Sequence, residues 1–304
     1  MFDLIIIGGG PAGITAGIYA ARKKLNTLLI SKDFIGQVGK SSLIENWPGT
    51  PRISGAEFLE KLKNHLKGFV ININEGKEVV EVKKKKDLFE VMTTEKDRYL
   101  ARSIIIASGT NPRPLEIPGE KEFVGKGVSY CVTCDGPFFQ NKTVAVIGGG
   151  NAGLETTLDL AGYAKKIYVL EFSSEIKGDE DLLERVKKSK KVSIILSAML
   201  KEIKGKDLVN SLVYQERESK KIKELAVDGV FVMIGNVPAS GFIGNLVDFS
   251  ERGEIRIDPL TNETKTKGLF AAGDVTTVPY KQIVVAAGEG AKAALSCYKY
   301  LKKK

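Results

Sequence analysis

Two stretches of the chain repeat one pattern of apolar and small residues. The run FDLIII from Phe2 is almost wholly apolar and stops at a glycine cluster, Gly8–Gly10. Small apolar residues then recur at helical spacing through PAGITAGIYAARKK, and a second apolar run, TLLI, follows. The segment from Thr143, TVAVIGGGNAGLETTLDLAGYAKKIYVLE, has the same order, and the first glycines of the two clusters, Gly8 and Gly148, lie 140 residues apart. A short apolar run bounded by glycines predicts a strand buried on both faces, and the small-residue periodicity predicts a helix that packs closely on it. Each copy therefore reads as a βαβ opening, the unit of an open parallel sheet covered by helices.

Between and after the copies the pattern changes. Val79–Val82 and Leu88–Met92 alternate as strands, with a turn predicted at Lys83–Lys86. ARSIIIASG predicts a strand that ends at Gly109. Asn111–Gly119 holds Pro112, Pro114 and Pro118, which hold the chain extended and mark a linker. NVPASG, after about Gly235, reads as a second linker. GLFAAGDV predicts a strand ending in Gly-Asp, and Gln282–Leu301 a helix of small residues. The expected fold is α/β, with two three-layer Rossmann-like dinucleotide-binding domains. One is discontinuous, residues 1–114 and 242–304, and the other, residues 115–241, is inserted into it.

Both copies carry G-x-G-x-x-G between a strand and a helix: Gly8, Gly10 and Gly13, then Gly148, Gly150 and Gly153. The first glycine permits the sharp turn, the second lets backbone approach a pyrophosphate, and the third lets helix and strand pack closely. The helix N-terminus then offers unpaired N–H groups and partial positive charge. A tight βα turn without a ligand is the alternative. Two copies predict two dinucleotides in contact, with Gly148, Gly150, Asn151, Ala152 and Gly153 as the second phosphate cradle.

The 304 residues, 43% of them hydrophobic with 32 glycines, suit two globular α/β domains and argue against disorder. No apolar run approaches the roughly 18 residues of a membrane span, and no secretory signal is read, so a cytoplasmic protein is expected, with no membrane partner. The net charge of +9 comes from lysines spread along the chain, with runs at Lys83–Lys86, Lys187–Lys188 and Lys302–Lys304. These read as a solvated surface or as steering of an acidic protein partner. Nucleic-acid binding is not expected, because no element interleaves basic and aromatic residues.

Three cysteines make no disulfide framework, but two of them form Cys131-Val132-Thr133-Cys134-Asp135. Two thiols at this spacing can close a disulfide across one turn. Zinc needs four ligands, and the chain has no second C-x-x-C and only one histidine, His65, so no metal is expected. Asp135 is a turn residue or an acid that exchanges a proton with the departing thiolate. Cys297 reads as a packed thiol, His65 as a surface helix residue, and Trp47 as a packing residue.

These motifs, in the order GGGPAG, Gly36-Gln37, ENWPG, IIIASG, CVTCDG, GGGNAG, FAAGDV and YKQIVVAAGEGAKAA, closely resemble low-molecular-weight thioredoxin reductase. They also resemble the reductase part of the alkyl hydroperoxide reductase flavoprotein, and the likeness covers nearly the whole chain. The resemblance implies a homodimeric FAD-dependent thioredoxin-disulfide reductase. In it Cys134 would lie against the flavin, Cys131 would exchange with thioredoxin or a thioredoxin/glutaredoxin-like protein, and Asp135 would be the acid. It implies FAD contacts from Gly8, Gly10, Pro11, Ala12 and Gly13 at the pyrophosphate, and from Gln37, Asn46 and Gly109 beside the flavin. Gly273 and Asp274 would meet the ribityl and phosphate region, and Lys281, Gln282 and Ile283 the ring. It also implies a domain rotation, for which Asn111–Gly119 and Gly235–Gly241 would be the hinges.

The second unit departs from the thioredoxin-reductase pattern, which has a basic cluster for the 2′-phosphate of NADPH. Here the strand runs into YVLEFSSEIKGDEDLL, and Glu171 stands at its end, with Lys177 as the one nearby cation among Glu175, Asp179, Glu180 and Asp181. An acid there accepts from a ribose 2′-OH and repels a phosphate, so NADH is expected over NADPH. A ferredoxin-linked, nicotinamide-independent thioredoxin reductase is the alternative, against which the intact Gly148, Gly150 and Gly153 argue. The chain opens directly on the first strand, so no thioredoxin-like domain is expected ahead of it, and the disulfide substrate is expected to be a separate protein.

Overall fold

The computed structural model describes residues 1–41 and 44–303, so Lys304 of the last lysine run lies outside the described residues. The chain divides into two compact units, one formed by residues 1–111 and 237 onward, the other by residues 112–236.

In the first unit the strand order is Asn72–Glu75, Thr27–Ser31, Phe2–Ile7, Arg98–Ile106, Leu88–Thr93, Val79–Lys85. The first four strands are parallel neighbours, and the last two run antiparallel. Leu269–Ala271 pairs in parallel with the end of Arg98–Ile106. Side chains alternate across the sheet as a two-residue period requires. Leu4 and Ile6 face the helices Pro11–Arg22, Gly55–Lys67 and Ile283–Lys302. Ile5 and Ile7 face the opposite layer, with Val82, Phe89 and Val91. All four are at most 4% exposed, and each such burial stabilises the fold by roughly 1.5–3 kcal/mol. The long helix packs on the first through small residues: a Cβ on Gly290 would lie 2.1 Å from the Ala12 carbonyl oxygen.

The lysine run differs from the expected turn. Lys83, Lys84 and Lys85 extend the strand, opposite Glu90, Phe89 and Leu88, and the reversal comes at Lys86, with φ of +54°. The strand lies at the sheet edge, where lysine side chains reach solvent and Lys83 and Lys85 pair with Glu81 and Glu90.

The second unit holds a five-stranded parallel sheet in the order Val192–Ile195, Lys166–Leu170, Thr143–Ile147, Gly229–Val232, Val128–Ser129. The helices Asn151–Leu160 and Glu180–Lys188 and an antiparallel sheet of Ala198–Gly205, Val209–Glu216 and Ile222–Ala226 complete it. The repeat read from sequence is kept in register. Leu4 pairs with Thr27 and Val144 with Ile167, so the offset of 140 holds through both strands. The chain passes between the units at Thr110–Pro112 and Asn236–Pro238, which pair as a two-stranded ribbon.

The third glycine of each turn has no room for a side chain: a Cβ on Gly13 or Gly153 would lie 1.9 Å from the carbonyl oxygen of Gly8 or Gly148. At Gly150 a Cβ would meet nothing within 4 Å. Gly153→Ala is therefore expected to destabilise the chain by about 1–3 kcal/mol and lower its Tm by several degrees. Gly150→Ala should leave the Tm within about 2 °C, and calorimetry of the two variants checks the contrast.

Candidate functional site

The two glycine turns share one geometry. Gly8 and Gly148 adopt φ of +117° and +110°, which a side chain would strain. Gly10 and Gly150 both cap their helices at φ of −80° with extended ψ. Neither helix has a side-chain cap at its start, so the first-turn N–H groups face the open space beside the second glycine. That space can take an anion.

The first unit gathers the remaining residues expected around its turn. A Cβ on Gly273, at φ of +77°, would lie 3.1 Å from that of Ala12. Asp274 follows it, half-buried. Burial pushes its carboxyl above the usual range, and the Lys281 ammonium pulls the other way. Lys281 Nζ donates to the Thr276 and Asp274 carbonyls at 2.5 and 3.3 Å and pairs with Glu254 at 2.8 Å. Asn46 Nδ2 donates to Gln282 Oε1 at 3.2 Å, and Gln282 caps the helix that begins at Ile283. Gln37 Nε2 donates to the Thr110 carbonyl at 3.2 Å, next to Gly109 at φ of +67°.

In the second unit Glu171 stands 140 residues after Ser31, at the same point of the repeat. Its Oε2 accepts from Gly149 N at 2.6 Å and its Oε1 from Ser173 N at 2.8 Å, which ties the strand end to the glycine turn. In the first copy Ser31 instead donates to the Asp33 carbonyl. Asn151 and Asp179 exchange two hydrogen bonds of 2.8 and 2.9 Å, and Gly178 N donates to the Gly149 carbonyl, so the loop after Glu171 closes on the turn. Ala152 is exposed in the first turn of the helix. In the sequence Asp179 counted only as a nearby acid; its pairing with Asn151 spans 28 residues and left no local signal.

Cys131 and Cys134 form a disulfide with their Cα atoms 5.4 Å apart. Cys131 caps the short helix Val132–Asp135, and its Sγ accepts from Cys134 N at 3.2 Å. Ser129 Oγ accepts from Cys131 N at 3.0 Å and donates to Cys131 O at 3.2 Å. Downstream, Phe139 packs edge-on against Phe231 at 5.2 Å, and a Cβ on Gly229 would collide with it at 2.1 Å. The dithiol loop is thus fixed to the parallel sheet at both ends. Cys134 is exposed, while Cys131 and Asp135 are half-buried. A backbone N–H aimed at the first sulfur favours its thiolate once the bond is opened.

Elsewhere Cys297 is buried, donates to Ser103 Oγ at 3.2 Å, and has its thiol pushed up to about 12 by burial. His65 is exposed, and Trp47 packs edge-on against Phe58. Among the described residues no three acidic, histidine or cysteine side chains gather as a metal site, and no helix is long and apolar enough to cross a membrane.

The family profile described as pyridine nucleotide-disulphide oxidoreductase matches residues 2–290. An alkyl hydroperoxide reductase component from Pseudomonas aeruginosa is 41% identical over 304 residues, 99% of this chain and 58% of that protein. A Bacillus subtilis protein named NADH dehydrogenase is 41% identical over 303 residues, again 99% of this chain and 58% of the relative. The chain thus spans a little over half the length of these curated relatives. Thioredoxin reductase of Lactococcus lactis superposes with a TM-score of 0.93 at 35% identity, covering 100% of both chains.

The Asp274 geometry has a measurable consequence for the ligand-free chain. A carboxyl whose folded pKa lies above its ordinary 3.8 favours the fold below that value and loses that contribution as pH rises through the raised pKa. Asp274→Asn should therefore raise the Tm near neutral pH and flatten its decline above about pH 4, as thermal melts across pH would show.

Proposed function

The chain belongs to the pyridine nucleotide-disulphide oxidoreductase family, and from that membership we propose that it is an FAD-dependent disulfide reductase fed by NADH. The observation that carries the reading is the Cys131–Cys134 disulfide, held on its own short helix in a chain with two superposable dinucleotide turns.

The first unit suits FAD. The open space at Gly10 lies before uncapped helical N–H groups, and Asp274 is a half-buried carboxyl able to accept from polyol hydroxyls. In this reading Gly8, Gly10, Pro11, Ala12 and Gly13 hold the pyrophosphate. Gly273 and Asp274 meet the ribityl chain, and Gln37, Asn46, Gly109, Lys281, Gln282 and Ile283 line the flavin. When bound, FAD supplies two-electron chemistry between a reduced nicotinamide and a disulfide.

The second unit, the inserted segment assigned to residues 115–241 from sequence, takes the nicotinamide dinucleotide. Gly148, Gly150, Asn151, Ala152 and Gly153 receive its phosphates, and the Glu171 carboxylate accepts from the ribose 2′-OH. The Bacillus subtilis relative's name supports NADH as donor. The intact second turn speaks against the ferredoxin-linked alternative.

Two electrons and two protons convert the Cys131–Cys134 disulfide into two thiols. The Cys131 thiolate attacks one sulfur of a partner disulfide, displaces the other as a thiolate and forms a mixed disulfide. Cys134 then attacks Cys131 Sγ, which restores the pair and frees the partner's second thiolate. Asp135 gives and takes the proton at the cysteine sulfur. The disulfide substrate is thioredoxin or a thioredoxin/glutaredoxin-like protein, and the enzyme acts as a cytoplasmic homodimer.

Anaerobic titration of the yellow protein tests the donor. NADH should bleach the oxidised flavin band at a concentration at least about tenfold below NADPH, because a 2′-phosphate would face the Glu171 carboxylate. Bleaching by dithionite but by neither nucleotide would remove NADH from the reading. Cys131→Ser should abolish protein-disulfide turnover and leave flavin reduction intact; turnover by that variant would overturn the dithiol route.

A further inference from the structure

One buried carboxylate in the second unit has no part in the steps above. Glu120 is 1% exposed, yet no cation lies within ion-pair distance of it among the described residues. Three donors satisfy it instead. Oε1 accepts from Leu115 N at 2.7 Å and from the Tyr130 hydroxyl at 2.6 Å, and Oε2 accepts from Glu116 N at 2.7 Å. A buried carboxylate on three donors is costly to disturb, since removing any one exposes charge to an apolar surround.

Its partners are placed to matter. Leu115 and Glu116 lie just past the first crossing between the units, and Glu116 holds φ of +58°, a left-handed conformation uncommon for a non-glycine residue. Tyr130 immediately precedes Cys131 and, like Leu115 and Ile117, packs partly buried against the core of the second unit. Burial and the bond to Glu120 raise the phenol, so it stays protonated and donates. The Cys134 N–H reaches Cys131 Sγ only while Cys131 keeps its extended backbone, φ −143° and ψ 101°. Ser129 fixes the same peptide from the other side.

We propose that Glu120 and Tyr130 are positioning residues for thiol exchange. They fasten the peptide leading into Cys131 to residues 115–116 and so hold Cys131 Sγ where the Cys134 N–H donates to it. The inference rests on the reading of Cys131–Cys134 as the redox pair. Glutamine cannot replace Glu120, because its amide NH2 would face one of the three donors. Phenylalanine at 130 keeps the ring and loses only the hydroxyl.

The test uses the full chain with Cys134→Ser, alone and with Tyr130→Phe or Glu120→Gln. Alkylation of Cys131 by iodoacetamide is followed against pH, Cys297 being buried and silent. Both variants should move the midpoint of the profile upward by about one pH unit, a tenfold loss of thiolate stabilisation, as befits one hydrogen bond to a charged network. In chains with both cysteines, exchange with a small aromatic disulfide should slow by about threefold to tenfold. A purely structural role would lower the Tm and leave the alkylation profile where it is. If Glu120→Gln does not fold, Tyr130→Phe decides alone. Unchanged profiles in folded variants, beside a parent that exchanges normally, overturn this proposal alone. A reduced parent that exchanges with no disulfide overturns the redox reading and this inference with it.

Discussion

The structure depends on a side chain that is missing. At Gly13 and at Gly153 the Cα faces the carbonyl oxygen of the first glycine in its turn, at a distance no Cβ permits. That contact brings the helix start against the strand end and leaves the helix's first N–H groups pointing into the space beside Gly10 and Gly150. In the first unit the same close packing lets the Ala12 backbone meet Gly290, and the Ala12 side chain meet Gly273. The residues gathered around the turn come from segments some 260–280 positions away in sequence, and they meet there because the helix has nowhere else to sit.

On this shared frame the two copies differ at one strand-end residue. Ser31 closes on its own loop through Asp33, whereas Glu171 spans from strand to turn with a carboxylate bonded on both oxygens. Backbone N–H groups hold Glu171 in place and lone pairs remain on its oxygens, which supports the proposed contact with a ribose hydroxyl. The proposed division of labour between the units follows from that exchange of serine for glutamate more than from any change of fold.

The repeat, the parallel strands beside it and the dithiol were legible in the sequence, because each is local: a glycine spacing, an apolar run, two cysteines three apart. The offset of 140 held without insertion through two strands and a helix, which is why a single shift of the sequence brings both turns into line. What escaped was long-range or hidden by composition. Lys83–Lys85 read as a turn because lysines disfavour strands, yet a solvent-facing edge strand accepts them. Arg217 stacks on Phe172 at 4.1 Å, next to Glu171 but 46 residues away from it in sequence, and no spacing announces it. Glu120 drew no reading from the sequence, although it is almost wholly buried. Its three donors all lie within ten residues of it, but two are backbone N–H groups and one is a phenol, and no charge pattern marks them.

The inserted unit begins and ends side by side, with Arg113 N donating to the Gly235 carbonyl at 2.8 Å. For the split unit this turns a long excursion into something close to a hairpin. Were the insert unfolded, the host would have to close a disordered loop of roughly 120 residues, an entropic load of about 4 kcal/mol that a folded insert removes. Folding of the insert thus favours folding of its host through chain connectivity alone. A ligand that stabilises the folded insert would, by the same linkage, stabilise the sheet into which it is spliced.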